Sequence, residues 1–180
     1  MLRCQERKTV KTMIDLYAEL KIVLHALDTA GVPYAVCGGL ALMVYQRPRA
    51  TVDIDLILLP EFADACTQAL APFGFRAHPR PIHLTASGIQ MLRFYKVAPG
   101  TPDVLTLDCL LTTHPTVAEA WRGRVQVPFE NTTLWVVSAA GLVALKQLRG
   151  SPQDLLDIQA LKAAEERTPD ASTESDDARR

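Results

Sequence analysis

The sequence predicts one mixed α/β domain (α+β), a small mixed β-sheet flanked by N- and C-terminal helices. Three observations carry this. Helical periodicity brackets the chain at both ends, short aliphatic and β-branched runs fill the middle, and a Gly-Gly pair joins the first of those runs to a helix. With 180 residues, 48% hydrophobic and 22% charged, the chain can hold a core by burial alone, since a domain of this size buries roughly 70% of its unfolded surface.

Residues 9–29 place apolar side chains at Met13, Leu16, Tyr17, Leu20, Val23, Leu24 and Leu27, the recurrence of an amphipathic helix, stopped by Gly31 and Pro33. Tyr34 to Cys37 reads as a short buried strand running into Gly38-Gly39, and Leu40 to Tyr45 as a short helix that Pro48 forbids from continuing. Thr51 to Leu59 (TVDIDLILL) reads as a central strand closed by Pro60. Glu61 to Ala71 is helical in pattern. Ile89 to Val97 and Val104 to Leu111 are two strands separated by Pro99-Gly100, His114 to Trp121 a short helix, and 124–137 a β-ribbon. Ser138 is placed to cap a helix over Ala139 to Leu148, and Ser151-Pro152-Gln153-Asp154 carries the cap, N1 proline and early acid of a last helix. The sheet expected from these runs has about four or five strands.

From Glu165 onward EERTPDASTESDDARR offers no bulky apolar residue to bury, so residues 1–164 are expected to form the domain and 165–180 a disordered acidic and polar tail. The balance of 19 Lys+Arg against 20 Asp+Glu, net −1, excludes a generally basic nucleic-acid coat protein. Cys4, Cys37, Cys66 and Cys109 form no C-x-x-C pair and have no His at ligand spacing, which fits a reducing cytoplasm and no structural zinc. The charged N-terminus has no secretory apolar region, and no run approaches the roughly 20 apolar residues that span a bilayer.

The chemistry concentrates in Val36-Cys37-Gly38-Gly39 followed, after thirteen residues, by Asp53-Ile54-Asp55-Leu56. Alternate residues of a strand share a face, so Asp53 and Asp55 point the same way, about 6.5 to 7 Å apart. Asp108 lies inside the apolar run LTLDCLL, where an unpaired carboxylate is costly to bury. Three carboxylates from neighbouring strands suit one or two Mg²⁺ ions, which take hard oxygen ligands and retain waters. Glycines at a strand-to-helix turn let backbone N–H groups approach a phosphate at a helix N-terminus. A nucleoside triphosphate between backbone donors and metal satisfies all of these features.

This arrangement resembles the nucleotidyltransferase superfamily that includes DNA polymerase beta, whose signature is a hydrophobic residue, Gly, Gly or Ser, a spacer, then Asp-h-Asp-h. Here it is VCGG, thirteen residues, DIDL. The stretches Gly38-Gly39-Leu40-Ala41 and Arg49-Ala50-Thr51-Val52-Asp53-Ile54-Asp55 look especially like the bacterial AbiEii-type enzymes, many from toxin–antitoxin systems. Ala144-Leu145-Lys146, Arg149 and Gln153-Asp154-Leu155-Leu156-Asp157-Ile158 are similar to that family's C-terminal pattern. The resemblance implies Asp53, Asp55 and Asp108 as metal ligands, with Asp108 also the base, and Gly38, Gly39, Arg49, Thr51 and Lys146 as the nucleotide contacts. It implies transfer of an NMP from an NTP to RNA or protein, with a cognate antitoxin as a partner. The chain lacks the separate C-terminal helical domain of better-studied AbiEii-type toxins. An aminoglycoside-type enzyme is the alternative, and a non-catalytic binding relative stands against both.

Several residues carry two readings. Arg47 and Arg49 share a face with Thr51 and Asp53 in an extended chain, so they either meet phosphate or balance the acids. Lys146 on an otherwise apolar helix contacts triphosphate or is a snorkelling surface lysine. Asp154 and Asp157 orient Lys146 and Arg149, or serve as a helix cap and a solvent-facing acid. Asp103 competes with Asp108 as third carboxylate. The stretch from Phe75 to Arg93, with Arg76, His78, Arg80 and His83, is a basic acceptor rim or a solvated loop.

Overall fold

The computed structural model describes residues 14–98, 100 and 102–165. Its elements follow the expected order, with two short strands added between the third helix and the strand from Ile89. They are α1 (Leu16–Thr29), β1 (Tyr34–Val36), α2 (Gly38–Val44), β2 (Asp53–Leu58), α3 (Ala63–Leu70), β3 (Arg76–Ala77), β4 (Ile82–Leu84), β5 (Ile89–Val97), β6 (Val104–Leu111), α4 (Pro115–Arg122), β7 (Val125–Phe129), β8 (Thr132–Val136), α5 (Ala139–Arg149) and α6 (Pro152–Glu165).

The first helix starts at Leu16, later than the periodicity implied, because Asp15 caps it by accepting from the Tyr17 and Ala18 N–H groups. Residues 9–13 lie outside the described residues, as does the tail beyond Glu165, which is itself the last residue of α6. Ser138 caps α5 as expected, accepting from Gly141 N–H. At α6 the Ser151 hydroxyl and the Asp154 carboxylate form a reciprocal capping box.

The sheet has eight strands rather than four or five, in the order β3-β5-β6-β2-β1-β8-β7, with β4 also on β5. The excess comes from the ribbon splitting into β7 and β8 at Glu130 (φ 51°) and from β3 and β4, which lie in the stretch expected to be a basic loop. These two strands are only two and three residues long. Pairing to the long β5 supplies the hydrogen bonds that no local pattern announces.

At the centre β2 runs parallel to β6 and antiparallel to β1, and β1 runs parallel to β8. The alternation of β2 sends Ile54 and Leu56 into the core and leaves Asp53 and Asp55 on the opposite face. In β6 the same alternation buries Leu105, Leu107, Cys109 and Leu111 and turns Asp108 toward the aspartates of β2. Cys37, Cys66 and Cys109 are free and buried, as expected of core thiols. No helix among the described residues is long and apolar enough to cross a membrane.

Candidate active site

Parallel pairing places Asp55 directly beside Asp108, with Asp53 opposite Thr106. The expected three-acid constellation is therefore assembled on one face of two adjacent strands. Burial first, then the charges of Asp53 and Asp108, push the Asp55 carboxyl up to about 6, against the opposing pull of Arg149 and of a hydrogen bond from Gly39 N–H.

The glycine pair is explained by this crowding. Gly38 has φ +60°, and a Cβ there would fall within the Asp55 carboxylate; a Cβ on Gly39 would lie 2.7 Å from Thr51 Oγ1. Only a backbone without side chains lets α2 start against β2. Thr51 in turn donates its hydroxyl to Asp53 Oδ1 at 2.6 Å, so both glycines and Thr51 hold the aspartates in place.

The cations divide differently from the sequence expectation. Arg93 on β5, cross-strand from Asp108, donates Nε and Nη2 to its two oxygens, both at 2.7 Å. This bidentate partner was missed because Arg93 read as part of a basic stretch; its period-2 relation to Ile89 and Met91 was the available signal. Arg49 donates to Asp157 at 3.1 Å and Arg47 to the Ala160 carbonyl at 3.0 Å, so both tie the segment before β2 to α6 and neither balances Asp53 or Asp55.

Lys146 is no surface lysine. It is 4% exposed, donates to Asp157 and lies 3.6 Å from Asp154. Asp157, expected to face solvent in its bland reading, is buried by the same contact and also accepts from Gln153. Arg149 makes a bidentate pair with the fully buried Asp154 while its own side chain stays half exposed and close enough to Asp55 to feel its charge. The Arg149 and Ser151 hydrogen bonds hold the Asp154 carboxyl well below the usual carboxylate range despite its burial. Asp103 sits at the mouth of β6 rather than within the strand. His78 accepts the Arg80 N–H or bonds its carbonyl, a local turn contact.

Above the acids lies a cavity of about 250 Å³ that reaches from Cys37 and Gly38 past Asp55 and Asp108 to Met91 and Leu110, with α5 as its facing wall. Among the described residues no three His, Cys, Asp or Glu side chains converge as a ready metal site, and Arg93 engages both oxygens of Asp108. The donor set nevertheless fits a hard divalent cation. It is all carboxylate oxygen, and the mutual repulsion that raises Asp55 is what a cation relieves.

A strand, Gly-Gly, helix and strand unit with acids on one face of adjacent strands defines the nucleotidyltransferase fold. The same fold is found in ANT(2")-Ia in complex with adenylyl-2"-tobramycin (14% identity, TM-score 0.56, 82% of this chain and 88% of that one). It is found in the lincosamide antibiotic adenylyltransferase LnuA with lincomycin bound (16%, 0.52, 82% and 96%) and in a Thermotoga maritima protein described as a nucleotidyltransferase (15%, 0.52, 87% and 93%). The chain belongs to the family described as nucleotidyltransferase of unknown function (DUF6036), whose model matches residues 11–166. No curated protein matches the sequence.

Proposed function

We propose that the chain transfers an NMP from an NTP to an acceptor hydroxyl through Asp53, Asp55 and Asp108. The observation that carries this is the juxtaposition of Asp55 and Asp108 on paired strands, at the mouth of a cavity and against the Gly38-Gly39 turn. Asp53 and Asp55 are the residues that hold Mg²⁺, with Asp108 as the third carboxylate. When bound, the metal neutralises charge on the transferring phosphoryl group and on the departing pyrophosphate.

The chain's own contribution is positional. Gly38 and Gly39 bring backbone close to the nucleotide phosphates, Thr51 orients Asp53, and Arg49, locked to Asp157, fixes the segment leading into β2. Lys146 and Arg149 put positive charge on the opposite wall. Arg149, with the more exposed guanidinium, faces the phosphates, and buried Lys146 supports it. Asp108 accepts the acceptor's proton once its oxygens are shared with or released from Arg93.

Two acceptor classes compete. The AbiEii-like motifs support RNA or protein, a toxin role and a cognate antitoxin. The compact, largely apolar cavity beside Asp108 supports a small molecule, and this is the reading adopted. The test incubates the protein with Mg²⁺ and each α-labelled NTP over RNA, protein and small-molecule acceptors, comparing wild type with Asp53→Asn. Loss of at least 10³-fold in transfer with unchanged circular dichroism is expected; an Asp53→Asn protein that transfers normally refutes the assignment.

A further inference from the structure

We propose that the acceptor is a neutral, compact, hydroxyl-bearing molecule with an apolar body, bound in the half of the cavity that lies beside Asp108 toward β5. The inference rests on the nucleotidyl-transfer reading and specifies its substrate class.

Sheet order divides the cavity into two halves. Gly38, the phosphate-approach position, lies on the β1 side of Asp55, whereas Asp108 is followed outward by β5 and β4. A nucleotide held at the glycines therefore leaves the far half for the acceptor. Leu84, Ile89, Met91 and Leu110, from β4, β5 and β6, line that half, and α5 adds Leu142 and Leu145 to the lining of the cavity. Ile89 and Met91 share a face with Arg93 on β5, and Met91 pairs with Leu110 across β6, so the floor is a continuous apolar patch ending at the Arg93–Asp108 pair.

Charge decides against a polycation. Among the described residues the acids that line the cavity are Asp55 and Asp108, both assigned to the reaction, and Asp108 is already matched by Arg93. Lys146 and Arg149 are matched by Asp157 and Asp154. Among the described lining residues no further carboxylate is present for an ammonium group to pair with, and burying an unpaired charge there is costly. Size decides against a polymer filling it. An apolar cavity of roughly 150 Å³ holds benzene, so the whole 250 Å³ takes about ten heavy atoms and the half left beside a bound nucleotide takes a body smaller than that.

In the reaction the acceptor O–H oxygen forms a bond to the α-phosphorus of the NTP as the bond from that phosphorus to the β-phosphate bridging oxygen breaks. The hydroxyl proton passes to Asp108, pyrophosphate leaves, and the products are the acceptor phosphodiester and pyrophosphate.

The test uses the full chain with Mg²⁺, α-labelled NTPs and three probes: 2-phenylethanol, tobramycin and total RNA. Wild type is compared with Met91→Trp, which fills the apolar half, and with Val97→Thr, an exposed position at the end of β5 outside the cavity lining, with circular dichroism reporting on the folding of both. The expected result is label on 2-phenylethanol with its KM raised at least tenfold by Met91→Trp and within about twofold of wild type in Val97→Thr, while the Kd for Mg²⁺·NTP by calorimetry stays constant. Label only on tobramycin or RNA, or no label on 2-phenylethanol by a protein that binds Mg²⁺·NTP, overturns the inference and leaves nucleotidyl transfer standing. Absence of Mg²⁺-dependent NTP binding in wild type overturns the transfer reading and the inference together.

Discussion

Asp55 works against the stability of the fold that carries it. Its carboxyl is raised from 3.8 to about 6, so in the absence of metal the folded state binds its proton more tightly than the unfolded chain does. Between these two values the folded state holds more protons than the unfolded state, and stability falls as pH rises. Above about pH 6 the ionised Asp55 costs the full difference, about 3 kcal/mol at 1.36 kcal/mol per pH unit.

Asp55→Asn removes the charge while the amide oxygen can still accept from Gly39 N–H. In EDTA at pH 7.5 the variant should therefore be more stable than wild type by up to about 3 kcal/mol, or roughly 6–12 °C in Tm for a chain of this size. The gain should shrink as pH falls below 6 and disappear below about pH 3, where wild-type Asp55 is protonated in both states. Adding Mg²⁺ should reverse the order, because binding stabilises only the protein that has the ligand. Urea titrations of both proteins from about pH 3 to 8, with EDTA or Mg²⁺, measure all of this. A variant equal to or less stable than wild type at pH 7.5 in EDTA refutes the claim that Asp53, Asp108 and burial crowd Asp55.

Three further outcomes follow from the geometry. Asp154→Asn should lose about 1–3 kcal/mol at pH 7 by weakening the Arg149 and Ser151 contacts; since the native carboxyl is depressed, the loss should shrink as pH falls below 4 in urea melts. Lys146→Met should cost about 2–4 kcal/mol, because buried Asp157 then keeps only Arg49 and Gln153 as partners, and chemical denaturation measures it. Gly38→Ala should cost about 1–2 kcal/mol for the left-handed backbone alone and should cut nucleotidyl transfer at least tenfold by displacing Asp55, read from initial rates beside a thermal melt.

Much of this protein is readable locally. The amphipathic spacing of α1, the caps at Ser138 and Ser151 and the strand within TVDIDLILL are short-range statements about backbone preference and side-chain period, and the structure keeps them, with the strand confined to Asp53–Leu58. The same-face geometry of Asp53 and Asp55 follows from the pleat of one strand alone. Gly38-Gly39 is legible as a place of close backbone approach, although what approaches in the structure is the protein's own Asp55 and Thr51.

Other features depend on which strands become neighbours. Strands β3 and β4 exist only because β5 is long enough to pair with them, so a segment of Arg, His and Pro carries no signal of its own. Arg47 and Arg49 do share a face as an extended chain demands, yet α6 packs there and takes both. Lys146 reads as a surface lysine until α6 closes over α5 and buries it between Asp154 and Asp157.

By itself, then, the sequence determined the helices and the longer strands in their order, the helix caps and the pair of same-face aspartates beside a glycine turn, because each depends on residues within a few positions of one another. The tertiary structure alone decided that Asp108 stands abreast of Asp55, that Arg93 engages it, that Lys146 is buried, and that an apolar cavity opens beside the acids. Those are contacts across 11 to 53 residues of chain, and they are set by sheet order and helix packing, which no local period encodes.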